Sequence, residues 1–98
     1  MRRSSKDRNH DAIASHFRAL GCSVIETHNA GIAGFPDLVV GFIGRNRLVE
    51  VKNPETRYGK SGLNDNQMAF NRDWRGERMY QVSSTDEATA VVQNWRKA

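Results

Sequence analysis

The stretch Gly34-Phe35-Pro36-Asp37-Leu38-Val39-Val40-Gly41-Phe42-Ile43, continued through Gly44-Arg45-Asn46 into Arg47-Leu48-Val49-Glu50-Val51-Lys52-Asn53, decides the fold of this chain. Residues 37–43 and 47–53 are β-rich runs on either side of a short break that contains glycine, the pattern of a β-hairpin. Side chains alternate faces along a strand, so Glu50 and Lys52 project to the same side. A hairpin closing around Gly44-Arg45 pairs position 37 with 52 and position 39 with 50. Directly paired residues share a face, which sets Asp37 beside Lys52 and diagonal to Glu50. A one-residue change in loop length would reverse that register, so the expected geometry depends on the turn.

Two carboxylates that approach one another repel unless positive charge lies between them. A hard divalent cation with oxygen ligands meets that need, with water and phosphate completing its shell. Such an ion polarises a phosphate and lowers the pKa of a bound water. Lys52 adds a positive charge that can orient the attacking water or stabilise the charge developing at phosphorus. These are the parts that phosphodiester hydrolysis requires. The plain structural alternative is a surface salt bridge from Lys52 to Glu50 or Asp37, which would carry little energy and no chemistry. The apolar neighbours Leu48, Val49 and Val51 weigh against it, because they predict a largely buried strand on which charges are costly.

Outward from the hairpin, the other elements follow from periodicity. From about Asp7 to Leu20, Ile13, Phe17 and Leu20 recur at helical spacing, with Asp7 or Asn9 able to cap the start and Gly21 following the end. Residues 22–28 read as a strand. Residues 54–62, with Pro54, Gly59 and Gly62, read as a mobile basic loop. Leu63, Gln67, Phe70 and Trp74 then line one helix face, with Gly76 as its stop. Gln67 lies within that apolar stripe. It either completes a capping box with Asn64 or faces the carboxylate patch to hold substrate or a metal-bound water, or both. Residues 78–82 form a short strand. Ser84 and Glu87 have capping-box spacing before a last helix whose inner stripe is Ala88, Val91, Val92 and Trp95. The predicted class is α/β, in the order α-β-β-β-α-β-α, with a small mixed sheet flanked by helices. It forms a single domain over 1–98 whose first six residues are flexible.

The chain has 98 residues, enough for one modest core. Its hydrophobic and charged fractions, 38% and 27%, are those of a globular protein and not of a disordered one. No apolar run is long enough for a membrane helix and no secretory signal opens the chain, so a cytoplasmic location is expected. A net charge of +4 favours a polyanionic partner. The single cysteine, Cys22, reads as a small buried hydrophobe. His10, His16 and His28 lack zinc-ligand spacing and read as surface or partly packed residues. Trp74 and Trp95, on helical stripes, read as core.

Pro36-Asp37 followed by Glu50-Val51-Lys52 resembles the motif of the PD-(D/E)XK nuclease superfamily. Leu63 to Gln67 is similar to the glutamine-bearing helix of its VRR-NUC and Holliday-junction-resolvase-like branch. The order of elements over roughly 7–95, including Trp74-Arg75-Gly76 and Asp86-Glu87-Ala88, resembles small phage or prophage nucleases of that branch. The resemblance implies a restriction-endonuclease-like core and a metal-dependent DNA endonuclease, acting on branched or structured DNA and working as a homodimer. It implies Mg²⁺ or Mn²⁺ held by Asp37, Glu50 and the Val51 carbonyl, with no organic cofactor, with Lys52 as catalytic lysine and Gln67 lining the site. Many relatives add an acid from the first helix. Here that region reads Asn9-His10-Asp11, with Asp11 or the Asn9 amide able to serve and His10 nearest the inner face. Arg57, Tyr58 and Lys60 in the basic loop are expected to touch DNA phosphates. The rival expectation is a nucleic-acid-binding module without catalysis, whose binding would be strongly salt-sensitive.

Overall fold

A computed structural model describes residues 9–28, 30–53 and 63–97. Three helices and four strands follow the order α-β-β-β-α-β-α. They are α1 (His10–Ala19), β1 (Ser23–Glu26), β2 (Leu38–Phe42), β3 (Arg45–Val51), α2 (Asp65–Asp73), β4 (Tyr80–Val82) and α3 (Thr85–Lys97). The strands form one sheet in the order β1-β2-β3-β4, with the first two pairings antiparallel and the last parallel. The mixed sheet is thus as expected. Among the described residues no helix is long and apolar enough to cross a membrane. The flexible start and the basic loop at 54–62 lie outside the described residues.

Period-two alternation fixes which face is inside. Leu38, Val40 and Phe42 are buried while Val39 and Gly41 are half-buried, and Val49 and Val51 share the inner face with them. Ile13, Ala14 and Phe17 of α1 and Ala88, Val92 and Trp95 of α3 complete one core on that face. Trp95 is its hub. It stacks with Phe17 at a ring-centroid distance of 6.0 Å and meets Tyr80 edge to face at 5.3 Å. The buried Arg47 lays its guanidinium 4.6 Å over the same ring. Cys22 is buried here as expected, and burial pushes its thiol up while Arg96 and Arg47 pull it down. His16, between helices, bonds the Thr89 hydroxyl at 2.7 Å.

The hairpin register differs from the expected one by two residues. Leu38 pairs with Val49 and Val39 with Leu48, so β3 begins at Arg45 and the turn is Ile43-Gly44. Continued one residue past the start of β2, this register sets Asp37 opposite Glu50 and diagonal to Lys52, the reverse of the expected neighbours. Because the shift is even, all three stay on the expected face. Ile43 and Gly44 both have positive φ, 49° and 75°, as a two-residue hairpin loop requires. A β-branched residue is strained in that region by roughly 1–2 kcal/mol. Ile43 is also exposed, so nothing in the core depends on it. Replacing Ile43 by Asn gives the favoured Asn-Gly turn and should raise the melting temperature by about 4–8 °C, read by circular dichroism. No gain would argue against this turn.

Three local expectations are also corrected. Asn9 occupies the cap position of α1 but makes no side-chain capping bond, because its amide is used across the fold. Trp74 is not core. It follows the end of α2 in extended conformation, is 47% exposed and stacks on Phe70 at 5.1 Å. The periodic stripe ran on past the helix that generated it. At α3 the Ser84 hydroxyl accepts from the Glu87 amide as expected, but the Glu87 carboxylate reaches back to the amide and hydroxyl of Ser83.

Candidate active site

The outer face of β3 carries Glu50 and Lys52, which flank the core residue Val51. Both are nearly enclosed, at 4% and 7% exposure. The Lys52 ammonium lies 4.0 Å from Glu50 Oε2, too far for a direct hydrogen bond. Gln67 of α2 joins them. Its amide nitrogen donates to Glu50 Oε2 at 2.5 Å, and its amide oxygen accepts from Lys52 Nζ at 3.2 Å. A neutral amide thus holds an anion and a cation on one rigid fork, with each end matched to the charge it faces.

Gln67 is itself fixed by local structure. Asn64 caps α2 by accepting from the Gln67 amide at 2.9 Å, and the Gln67 side-chain oxygen accepts from the Asn64 amide at 3.0 Å. Gln67 therefore completes the expected capping box and also faces Glu50 and Lys52, with one side-chain oxygen serving Asn64 and Lys52 together. The helix start is positioned by Gly34, whose φ is +80°. A Cβ at that position would lie 2.2 Å from the Asn66 carbonyl oxygen, so the loop before Asp37 and the first turn of α2 meet backbone to backbone.

Asp37 stands one residue before β2. Its Oδ2 accepts from the Val51 amide at 2.9 Å, which orients the carboxylate toward the end of β3. The backbone on either side is held by Thr27, whose amide donates to the Asp37 carbonyl and whose hydroxyl donates to the Pro36 carbonyl, both at 2.7 Å. Lys52 is anchored likewise. Its amide donates to Val82 at 2.8 Å and its carbonyl accepts from the Asn9 side chain at 3.0 Å. The same Asn9 nitrogen reaches Ser83 at 2.9 Å, so α1 ties together the ends of β3 and β4.

Glu50, Lys52 and Gln67 are joined by hydrogen bonds, and the Asp37 carboxylate is tied to the same end of β3 through the amide of Val51, the residue between Glu50 and Lys52. The first-helix candidates behave differently. Asn9 holds the Lys52 backbone, His10 turns toward Glu26 and His28, and Asp11 is half exposed, 3.8 Å from His10. The Val51 amide donates to Asp37, a contact separate from the metal ligation expected of its carbonyl. Arg57, Tyr58 and Lys60 lie outside the described residues. The sequence reading missed Thr27 and the bracing role of Asn9, because each acts on backbone atoms far away in the chain.

No family model, curated protein or solved structure matches this chain. The chemistry of the cluster rests on its own groups. Two carboxylates, one on β3 and one just before β2, supply hard oxygen donors, and a buried ammonium lies beside the first of them. That set suits a hard divalent cation and a phosphate better than a carbonyl substrate, for which no nucleophile of the serine or cysteine kind is present in the cluster.

Proposed function

We propose that the chain is a divalent-metal-dependent endodeoxyribonuclease of the PD-(D/E)XK kind, with Asp37, Glu50, Lys52 and Gln67 as its active centre. The observation that carries this reading is the Gln67 amide bridging buried Glu50 and buried Lys52, with Asp37, one residue before the facing strand, bonded to the Val51 amide between them. A pair retained only for surface charge would not be enclosed, bridged and braced in this way.

The donor set fits Mg²⁺ or Mn²⁺, which Asp37 and Glu50 would hold through carboxylate oxygens. When bound, the ion supplies a Lewis acid for the phosphate and a water of lowered pKa. The rest is the work of the chain. Lys52, fixed by Gln67, offers an ammonium to the phosphate oxygen or to the attacking water as negative charge develops. Gln67 keeps Glu50 aimed without adding charge. The Val51 amide does the same for Asp37. A net charge of +4 draws the polyanion in. A branched DNA substrate presents two related strands, which two copies of the chain acting as a symmetric dimer would cut together.

The test is cleavage of duplex, single-stranded, flap and four-way DNA in Mg²⁺ or Mn²⁺, with wild type beside Lys52→Ala. Cutting that needs the ion and disappears in the variant supports the reading, and the substrate panel identifies the preferred structure. Salt-sensitive binding with no cutting in any ion would leave only a binding module. Equal cutting by both proteins would mean a contaminating nuclease.

A further inference from the structure

Three side chains that the proposed chemistry does not use meet at the same end of the sheet but on its other face. His10 opens α1, Glu26 closes β1 and His28 lies two residues beyond. Glu26 pairs with Leu38 and so shares the core face, whereas Asp37 and Glu50 lie on the outer one. One ligand atom from each of His10, Glu26 and His28 lies within 4.8 Å of the other two. His10 Nδ1 is 3.6 Å from Glu26 Oε1, and the two imidazoles meet edge to face with centroids 4.7 Å apart. Glu26 Oε2 takes Arg18 at 3.3 Å, which leaves Oε1 as the oxygen turned toward His10. His10 is 1% exposed. The Nδ1 of His28 is enclosed and has no hydrogen-bond partner among the described residues, which in a folded protein calls for a reason.

We propose that His10, Glu26 and His28 bind a borderline transition-metal ion of the Zn²⁺ or Co²⁺ type. Imidazole nitrogens select such ions over Mg²⁺, and two histidines with one carboxylate form a three-ligand set that leaves a fourth position open. Ligand atoms around a tetrahedral zinc lie about 3.4 Å apart. The His10–Glu26 pair is already near that spacing. Half-buried His28, two residues past the end of β1, closes the remainder by a shift of about an ångström, which a χ rotation supplies.

The site has a structural consequence. Thr27, between Glu26 and His28, holds the carbonyls of Pro36 and Asp37, and Asn9, beside His10, holds the carbonyl of Lys52. An ion joining His10 to β1 therefore ties the segment that carries Asp37 to the segment that anchors Lys52. Its role is to brace the outer-face cluster from behind. The proposal does not depend on the nuclease reading, because a protein that cleaves nothing would still bind the ion.

The experiment uses the untagged full chain, titrated with Zn²⁺ by calorimetry and with Co²⁺ by visible absorption. With Mg²⁺ in large excess to keep the outer-face carboxylates occupied, one tightly bound ion per chain is expected, with the intense band of tetrahedral cobalt. A melting temperature about 10 °C higher is expected at an ion concentration a hundredfold above Kd. His28→Ala and Glu26→Gln, at less buried positions than His10, should each weaken binding by about tenfold or more. Asp37→Asn and Glu50→Gln should leave the cobalt spectrum unchanged. Absence of stoichiometric binding would overturn the proposal, as would binding that survives both His28→Ala and Glu26→Gln. Loss of the band in Asp37→Asn would overturn it too, by assigning the ion to the outer-face carboxylates.

Discussion

Glu50→Gln is expected to lower metal-dependent cleavage by at least about 10²–10³-fold while the protein stays folded, measured as initial rates beside a thermal melt. The substitution keeps the shape of the side chain and an oxygen that can accept from the Gln67 amide, so the bond that now joins Gln67 to Glu50 Oε2 can persist. What disappears is the charge. Without it the site keeps one carboxylate, from Asp37, and a hard cation loses most of its reason to stay. Stability should change little, since removing a nearly enclosed charge relieves desolvation as it removes attraction. Glu50→Ala is a different experiment. It leaves the Lys52 ammonium, 7% exposed, facing a void and should destabilise by about 3–5 kcal/mol. Its loss of activity would therefore say little about chemistry. Wild-type rates in a folded Glu50→Gln would sink the assignment of Glu50 to the active centre.

The parts of the site legible in the sequence were those governed by short-range periodicity. Glu50 and Lys52 share a face because they are two residues apart on a strand. Asp37 joins them because any hairpin register of the right parity places it there. The actual partners were not legible, because the turn uses Ile43 at positive φ, a choice that turn chemistry disfavours. The expected closure around Gly44-Arg45 followed the usual rules but lies one residue past the actual turn, which shifts the pairing by two. Gln67 was legible as a polar residue on an apolar stripe. Trp74 misled for the related reason that helical spacing can continue in a chain that is no longer helical. Contacts between distant segments were invisible. Nothing in the spacing of His10 and His28 announces that α1 and the end of β1 bring them together, and Asn9 read as a helix cap although its amide holds Lys52 and Ser83. Periodicity reports which way a side chain points and is silent on which remote backbone it will meet.

Gly34→Ala tests the other half of the design, the docking of α2, and should destabilise the fold by about 2–4 kcal/mol. Two independent effects contribute. A φ of +80° is strained for any residue with a Cβ, by roughly 1–3 kcal/mol. The added methyl would also lie 2.2 Å from the Asn66 carbonyl oxygen, a backbone atom that cannot rotate aside. Relief of that overlap requires the first turn of α2 to retreat, with overpacking of this kind typically worth about 1–3 kcal/mol. The melting temperature should fall by roughly 10–20 °C. The retreat also carries Gln67 away, because the side chain that bridges Glu50 and Lys52 is held to Asn64 by the capping box of the same turn. Cleavage measured well below the melting temperature should therefore drop as far as in Gln67→Ala, which removes the same bridge directly, and combining the two substitutions should cost little more than either alone. Gly31→Ala is the control. Its φ of +78° gives similar backbone strain, but the Cβ meets nothing within 4 Å, so stability should fall without loss of the bridge. If Gly34→Ala and Gly31→Ala reduced cleavage equally, contact between the Gly34 loop and α2 would not be what holds Gln67 in the site.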